Sequence, residues 1–347
     1  MILNYKEKEM NKSEFYSFLK SIPKAELHIH IEAVISRDSI KKLYLKKNGE
    51  NFSDKALKEL FDYSDLNGFI AAFLQVQDLF TEVSDFDLVF DDLKNYLLRN
   101  GITHCEAFFA PSAFIKKGFS YKEMAANFEK NLKRIKDETG ITVWLLGDVS
   151  RTFGLENAEK NLDMFLANKF KGFIGIGLGG AESKGPSKEF GPVFEKALKE
   201  GLHAVAHAGE DVGPESIWDA LKICNSERIG HGISAIQDEK LMDYCTQNKI
   251  PFEVAPTSNV FTKKYVPTLK EHPFRPFFNR GMLVTLNTDD PLFFGVELLD
   301  EYWNLYKSLK FTLDEIKTVI ENSFTASFLS ESDKKKSIEA VNAAWKV

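Results

Sequence analysis

The sequence predicts a parallel (β/α)8 barrel, the TIM-barrel class of α/β fold, from three observations. Short apolar segments alternate with helix-like stretches from about residue 25 to about residue 325. The sequence contains no Pro- or Ser-rich linker and no repeat of 20–50 residues. The length of 347 residues suits one barrel of about 250 residues that carries insertions. We therefore expect a single domain over residues 1–347.

Eight short apolar segments are the predicted strands, and amphipathic stretches lie between most of them. The strands are predicted at residues 26–31, 103–109, 141–149, 172–178, 203–208, 228–233, 251–256 and 282–288. The helical spacing of apolar residues predicts helices at 121–138, 156–168, 191–200, 214–224 and 238–248. This alternation is typical of βαβ units, whose strands pair in parallel.

The first crossover is longer than one helix requires. About 70 residues separate the first two predicted strands, so we predict a helical insertion over residues 36–100. Five apolar side chains within it fall on one helical face: Leu66, Phe69, Ile70, Phe73 and Leu74. That face fits a helix packed on the core. The alternative is a lid over the barrel mouth, because long βα insertions lie at the active end.

Composition and charge exclude several classes of protein. Apolar residues make up 44% and charged residues 28%, which is typical of a globular protein with a large core. The net charge of −6 provides no positive field for nucleic acid or an anionic membrane. No segment has the length of a membrane span or a signal peptide, and the three cysteines form no C-x-x-C motif. We expect a cytoplasmic protein without nucleic-acid or membrane partners; its oligomeric state stays open.

Polar residues gather at the ends of four predicted strands, where barrel enzymes carry their catalytic groups. In chain order they are His28 and His30, His207 and Glu210, His231, and Asp289 and Asp290. Four of the seven histidines of the chain are in this set. A lone histidine at a strand end is usually structural, but independent core histidines have no reason to gather at one end of a barrel.

Three imidazoles and a carboxylate are the donor set of zinc or a similar divalent ion. The candidate ligands are His28, His30, His207 and Asp289. Barrels with two metals usually need a bridging ligand, often a modified lysine, after the fourth strand. That strand ends in glycines here, and Lys171 lies at its other end. The sequence therefore predicts one metal ion, Zn²⁺ or another divalent metal.

The three remaining polar groups are candidate catalytic residues. Glu210 is a candidate proton carrier, since a carboxyl in a dry pocket has its pKa raised towards neutrality. His231 would orient or deprotonate the water on the metal, whose pKa the ion lowers to about 7. Asp290 would face the substrate. The alternative for both carboxyls is that they only hold the histidines in place.

Two partial motifs are typical of other functions, but the sequence around each lacks the features that those functions require. Gly175, Gly177 and Gly180 match G-x-G-x-x-G, but a loop rather than a helix follows them. Residues 104–106 match the H-x-E half of a zinc signature of nucleic-acid-modifying enzymes, whose P-C-x-x-C half is absent. We interpret residues 104–106 as ordinary strand sequence.

Five motifs occur in one order between about residues 14 and 330. They are PKAELHIH at 23–30, HAGE at 207–210, RIGHG at 228–232, PTSN at 256–259 and LNTDDP at 286–291. Together they resemble the adenosine/adenine deaminase family. The resemblance implies a zinc-dependent barrel that replaces a purine 6-amino group by oxygen and releases ammonia.

The same resemblance implies roles for individual residues. The metal ligands coincide with the four chosen above, and Glu210 protonates ring N1. His231 positions the attacking hydroxide, Asp290 bonds N7 and the backbone at Gly180 bonds N3. His30 and Glu32 are implied to lie beside the substrate.

Four departures from the adenosine deaminase pattern leave the N9 substituent open. Ala33 replaces a residue that is usually glycine, and many adenosine deaminases carry Asp at Glu32, near the ribose. The sequence GLGGAE at 177–182 replaces D-L-A-G-D-E, and EAFFAP at 106–111 looks more like the adenine deaminase form. We expect adenosine first, then a modified adenosine such as the aminodeoxyfutalosine of menaquinone synthesis, and then free adenine.

Two other functions are weighed against deamination. A catalytically silent purine-binding relative would require the loss of a ligand or of Glu210, or a secretory signal, and the sequence shows none of these. An amidohydrolase that opens a cyclic amide is disfavoured by the single-metal pattern and by the pair Asp289 and Asp290.

Overall fold

One parallel sheet organises the computed structural model, which describes residues 10–262 and 264–346, without the side chains of residues 66 and 67. Within these residues the sheet has eight strands in the order β1 to β8, and each strand pairs in parallel with the next. They are β1 Lys24–Glu26, β2 Ile102–Phe109, β3 Thr142–Asp148, β4 Phe173–Leu178, β5 His203–Ala208, β6 Arg228–His231, β7 Phe252–Val254 and β8 Val284–Leu286.

The sheet closes on itself just beyond β1 and β8. The His30 N–H donates to the Asp289 carbonyl at 2.9 Å, and the Asp289 N–H donates to the His28 carbonyl at 3.1 Å. On the other side, the Phe108 N–H donates to the Ile29 carbonyl at 2.8 Å. The predicted (β/α)8 barrel is therefore confirmed.

Helices surround the strands. They are α1 Lys12–Lys20, α2 Arg37–Asn48, α3 Asp54–Leu60, α4 Leu66–Asp78, α5 Phe86–Asn100, α6 Ser112–Lys116, α7 Tyr121–Thr139, α8 Leu155–Ala167, α9 Gly191–Lys199, α10 Pro214–Lys222, α11 Glu239–Gln247, α12 Pro256–Thr262, α13 Phe274–Asn279, α14 Pro291–Phe294, α15 Leu298–Lys307, α16 Leu313–Ala326 and α17 Glu331–Ala344. The five predicted helices correspond to α7 to α11. Within the described ranges, no helix combines the length and hydropathy of a membrane span.

The predicted boundaries of the first strand are wrong, because the regular strand is Lys24–Glu26 and not 26–31. The backbone N–H groups of Leu27 and His28 both donate to the side-chain oxygen of Asn287, at 2.9 and 3.1 Å. Since a side chain takes these donors, the regular ladder stops. His28 and His30 therefore lie after β1, in the short stretch that closes the barrel.

Three other strands end two residues earlier than predicted. β6 ends at His231, whose φ of 59° is left-handed, and β8 ends before Asp289, whose φ is 65°. β7 ends at Val254 because Pro256 begins α12. A left-handed residue cannot continue a pleated strand, so the backbone turns out of the sheet at His231 and at Asp289.

The predicted insertion contains α2 to α5, and α5 packs against β2 and α7. The expectation that one face of α4 points to the core is wrong at Ile70 and Leu74, which are 44% and 54% exposed. Ala72 and Val76 are buried in their place. The side chain of Leu66 lies outside the described residues. The face that α4 buries is thus rotated relative to the predicted face.

A chain of buried charges runs through the barrel interior. The Glu106 carboxylate of β2 contacts the Arg228 guanidinium of β6, which also contacts Glu253 of β7 at 2.5 Å. Burial raises the pKa of Glu106, but Arg228 and His104 outweigh burial and lower it to about 2. Glu106 in the segment 104–106 therefore serves the interior of the barrel, as an ion-pair partner.

We predict that Arg228→Ala destabilises the metal-free protein by about 3–5 kcal/mol, because it leaves two buried carboxylates without their cation. Urea denaturation followed by circular dichroism measures the change. Arg280→Ala is the matched control, since Arg280 pairs with Asp243 at the surface and its loss should cost less than about 1 kcal/mol. Equal effects of the two substitutions would contradict the importance of the interior network.

Candidate metal centre and active site

Four side chains converge at the carboxyl end of the barrel, two after β1, one near the end of β5 and one after β8. The ligand atoms of His28, His30, His207 and Asp289 all lie within 4.8 Å of one another. Asp289 Oδ1 is 3.4 Å from His28 Nε2 and 3.3 Å from His30 Nε2. The Nε2 atoms of His30 and His207 are 3.4 Å apart. Two atoms bound at about 2.1 Å to one ion, at a tetrahedral angle, are about 3.4 Å apart, so these spacings fit one shared ion.

The backbone after β8 is strained where it carries Asp289. A non-glycine residue with positive φ costs of order 1–3 kcal/mol and persists only where the surrounding contacts enforce it. Here the backbone of Asp289 closes the barrel on His28 and His30, while its Oδ2 accepts a hydrogen bond of 2.7 Å from the Ser258 hydroxyl. Both contacts leave Oδ1 directed at the histidines.

Glu253 fixes the orientation of His28. The carboxylate lies 2.8 Å from His28 Nδ1 and contacts Arg228 on its other side, so it accepts the Nδ1 proton. In the neutral ring of His28 the lone pair is then on Nε2, and this atom is buried without a hydrogen-bond partner among the described residues. A buried lone pair 3.4 Å from a carboxylate oxygen fits a metal ion. Sequence reasoning missed Glu253, although a glutamate within an apolar strand was a usable signal.

The carboxylates of the cluster stabilise positive charge on two of its three histidines, His28 and His30. Burial lowers the pKa of His28, but Asp289 and Glu253 outweigh it and raise the pKa to about 9. Burial likewise opposes protonation of His30, but Asp290 and Asp289 raise its pKa to about 10. Burial and the neighbouring His28 hold the pKa of His207 well below its usual range, which keeps this imidazole neutral, the form that binds metals.

Glu210 lies beside His231, with 3.6 Å between Glu210 Oε2 and His231 Nε2. Burial and the charge of Asp289 hold the pKa of the Glu210 carboxyl well above its usual range. Asp289 also belongs to a second close group with these two side chains. The structure thus brings the Glu210 carboxyl next to the candidate metal ligands.

A second carboxylate shapes the turn that carries Glu210. The backbone N–H groups of Gly209, Glu210 and Asp211 each donate to the Glu182 side chain at 2.8 Å. Ser216 adds its hydroxyl at 2.6 Å. Sequence reasoning gave Glu182 no role, because its partners lie 27 or more residues further along the chain.

Asp290 and Glu32 both act electrostatically on His30. Burial and Asp289 raise the pKa of Asp290, and burial raises the pKa of Glu32 to about 7. Glu32 Oε1 accepts a hydrogen bond of 3.0 Å from the Ala110 N–H. Its Oε2 is buried and has no hydrogen-bond partner among the described residues.

Gly180 lies in the loop after β4, with a φ of 100°. A Cβ atom there would lie 2.3 Å from Thr152 Oγ1, so only glycine fits. Arg151 ties this loop to the site, because its guanidinium donates to the carbonyls of Leu178 at 3.2 Å and His207 at 2.5 Å.

The insertion reaches the same end of the barrel. Phe69 of α4 stacks on Phe294 of α14, with ring centroids 5.1 Å apart, and Phe73 contacts Phe293 at 5.1 Å. The Tyr63 hydroxyl donates to the Phe293 carbonyl at 2.6 Å. These contacts attach the insertion to the segment that follows Asp290.

A (β/α)8 barrel with three histidines and an aspartate gathered at its strand ends is the architecture of a metal-dependent hydrolase. A family model described as adenosine deaminase matches residues 23–344. The chain belongs to the adenosine deaminase family, which is metal-dependent, and the resemblance predicted from the five motifs is confirmed.

Relatives of high coverage narrow the activity. Aminodeoxyfutalosine deaminase of Streptomyces avermitilis is 34% identical over 339 residues, which cover 96% of this chain and 94% of that protein. Adenine deaminase of Crocosphaera subtropica is 33% identical over 326 residues, with coverage of 92% and 98%. The crystal structure of adenine deaminase from Arthrobacter aurescens has a TM-score of 0.87 at 30% identity and covers 94% of this chain and 100% of that one. The chain is a hydrolytic deaminase of a 6-aminopurine compound.

We predict that Asp289→Ala weakens zinc binding by more than about 100-fold, since loss of a residue behind a ligand alone costs about 10–100-fold. Glu253→Gln should fall in that 10–100-fold range, because it removes only the acceptor behind His28. Competition with a chromophoric chelator measures both affinities. His203→Ala, at the opposite end of β5, is the control and should bind zinc like the wild type. An unchanged affinity in Asp289→Ala would exclude this cluster as the metal site.

Proposed function

We propose that this chain is a zinc-dependent deaminase of a 6-aminopurine nucleoside, adenosine or a modified adenosine. The observation that carries the proposal is the four-residue donor cluster with the Glu210 carboxyl beside it, whose pKa is held well above its usual range. Such a carboxyl can activate an aromatic amidine, and the donor cluster can hold the ion that activates water.

The proposed zinc ligands are His28, His30, His207 and Asp289. Nitrogen donors together with one carboxylate suit zinc, and their spacing fits a single ion. When bound, zinc lowers the pKa of a coordinated water to about 7 and so supplies a nucleophile at neutral pH.

The remaining groups are proposed to bind and protonate the purine. N1 and N7 of a 6-aminopurine are hydrogen-bond acceptors, so they need donors. Glu210 would give its proton to N1, which makes C6 a better electrophile, and Asp290, whose pKa is also raised, would donate to N7. The Gly180 N–H would bond N3. The oxygen of water replaces nitrogen at C6, and the amino group leaves as ammonia.

His231 completes the proposed catalytic group from the side of Glu210. Its Nε2 is 3.6 Å from the Glu210 carboxyl and belongs to the same close group as Asp289. From this position it would orient the attacking water towards C6.

A modified adenosine is supported as substrate by the Streptomyces relative, an aminodeoxyfutalosine deaminase. The Glu32 side chain, whose Oε2 has no hydrogen-bond partner among the described residues, would contact a substrate that reaches beyond the purine. His30, next to Glu32, would contact the same part of the substrate.

Free adenine is the second candidate. It is supported by the Arthrobacter structure, which is an adenine deaminase, and by the segment EAFFAP at 106–111, which resembles the adenine deaminase form. Phe108 packs against His28 at 4.9 Å and His207 at 5.4 Å between ring centroids, so its apolar ring lies directly beside the proposed ligands.

We also propose that the insertion over residues 36–100 acts as a lid. Its support is the aromatic contact of Phe69 and Phe73 with the segment after Asp290. A lid in this position would exclude water from the bound purine.

A substrate panel tests the proposal. Ammonia release is measured with zinc-loaded protein on adenosine, 2′-deoxyadenosine, methylthioadenosine, aminodeoxyfutalosine, adenine and AMP. We expect kcat/KM for one of the nucleosides to exceed that for adenine at least about 10-fold, since further contacts such as those of Glu32 add binding energy. Preference for adenine would select the second candidate, and no release from any member would refute the proposed function.

Glu210→Gln tests the proton donor. We expect kcat to fall by about 10²–10⁴-fold with zinc content unchanged, because the amide cannot transfer a proton to N1. Steady-state kinetics and metal analysis measure the two quantities. Glu200→Gln, at the surface after α9, is the control and should keep wild-type kinetics. Full turnover by Glu210→Gln would remove Glu210 from the mechanism.

A further inference from the structure

A line of buried polar groups runs from the backbone of α13 to His231. The Phe274 N–H donates to His272 Nδ1 at 3.0 Å. His272 Nε2 lies 3.2 Å from Asn259 Oδ1, and Asn259 Nδ2 lies 3.0 Å from His231 Nδ1. His231, Asn259 and His272 are each at most 1% exposed, so these contacts are not shared with solvent.

The hydrogen bond from the Phe274 N–H to His272 determines which group is the donor in each of the other hydrogen bonds. A backbone N–H can only donate, so His272 Nδ1 is the acceptor and carries no proton. The proton of a neutral imidazole then sits on His272 Nε2, which donates to Asn259 Oδ1. Burial and the nearby His231 lower the pKa of His272 to about 3, in agreement with a neutral ring.

The same direction continues into the active site. Because the oxygen of Asn259 faces His272, its NH2 group faces His231 and donates to Nδ1. An imidazole whose Nδ1 accepts must carry its proton on Nε2. That nitrogen is the one that lies 3.6 Å from the Glu210 carboxyl, within the group that includes Asp289.

We propose that His272 and Asn259 are positioning residues that hold His231 in its Nε2–H tautomer, so that His231 donates a hydrogen bond to the attacking water and does not deprotonate it. The tautomer follows from the contacts alone, whereas its role in deamination rests on the proposed function. Of the two roles that the sequence left open for His231, this selects orientation.

The tautomer can be observed without substrate. In protein labelled with ¹⁵N-histidine, long-range ¹H–¹⁵N correlation spectra distinguish protonated from unprotonated ring nitrogens, and His231→Gln identifies the His231 signals. We expect His231 with a protonated Nε2 and an unprotonated Nδ1, in metal-free and zinc-loaded protein alike. A protonated Nδ1 on His231 would overturn the proposal.

Two substitutions separate polarity from packing. Asn259→Asp has nearly the same shape but only acceptor atoms, so it should move the proton of His231 to Nδ1. His272→Gln keeps a donor that can reach Asn259 and should retain the Nε2–H tautomer. An Nε2–H signal in Asn259→Asp, or its loss in His272→Gln with the fold intact, would contradict the assigned direction. If Asn259→Asp does not fold, the wild-type and His272→Gln spectra still decide.

The kinetic consequence is tested on the best substrate of the panel. Asn259→Asp should lower kcat by about 10²–10³-fold, as loss of a transition-state donor does, with a smaller change in KM. His272→Gln should stay within about 3-fold of wild type in kcat, and His203→Gln serves as the remote histidine control. If the panel shows no activity but the spectra agree, the proposed function fails and the tautomer stands. If activity is present and the spectra disagree, only the positioning proposal fails.

Discussion

Closure of the barrel is the constraint on which the site depends. The two hydrogen bonds that join the ends of β1 and β8 use the backbone of His28, His30 and Asp289, and the side chains of these residues form most of the donor cluster. The left-handed φ of Asp289 is imposed by this closure, so the fold itself maintains the strain. The 3.3–3.4 Å spacing of the donors is therefore a property of the closed barrel and requires no loop to order first.

The sequence was sufficient to predict the architecture and to choose the residues that meet at its end, because the alternation of strands and helices determines where strand ends lie. It was not sufficient for the boundaries of β1. His28 and His30 look like the end of a strand, yet Asn287, 259 residues further along, takes the N–H of His28 from the ladder. Local patterns carry no information about such a distant acceptor. The prediction of the face that α4 buries was wrong because that face also depends on residues far away in the sequence, here Phe293 and Phe294.

The residues that hold the site residues in place were harder to predict than the site residues themselves. Glu253 lies 225 residues from His28, and Glu182 lies 27 from Gly209, so the contacts exist only after the barrel has formed. A glutamate in the apolar segment 251–256 nevertheless indicates a buried partner, because an unpaired carboxylate there would be costly. His272, in contrast, lies away from every strand end, and its position in the sequence gave no sign of its contact with Asn259.

His28 and His231 differ in the hydrogen-bond partner of Nδ1, and this difference distinguishes their proposed roles. His28 has a carboxylate behind it, which accepts the Nδ1 proton and leaves Nε2 with a lone pair for a metal. His231 has the NH2 group of Asn259 behind it, which fills the Nδ1 lone pair and leaves Nε2 with a proton. Both histidines belong to close groups that include Asp289, so proximity to the donor cluster does not by itself define a metal ligand. The polarity of the partner on the far side of the ring decides whether the imidazole coordinates or donates.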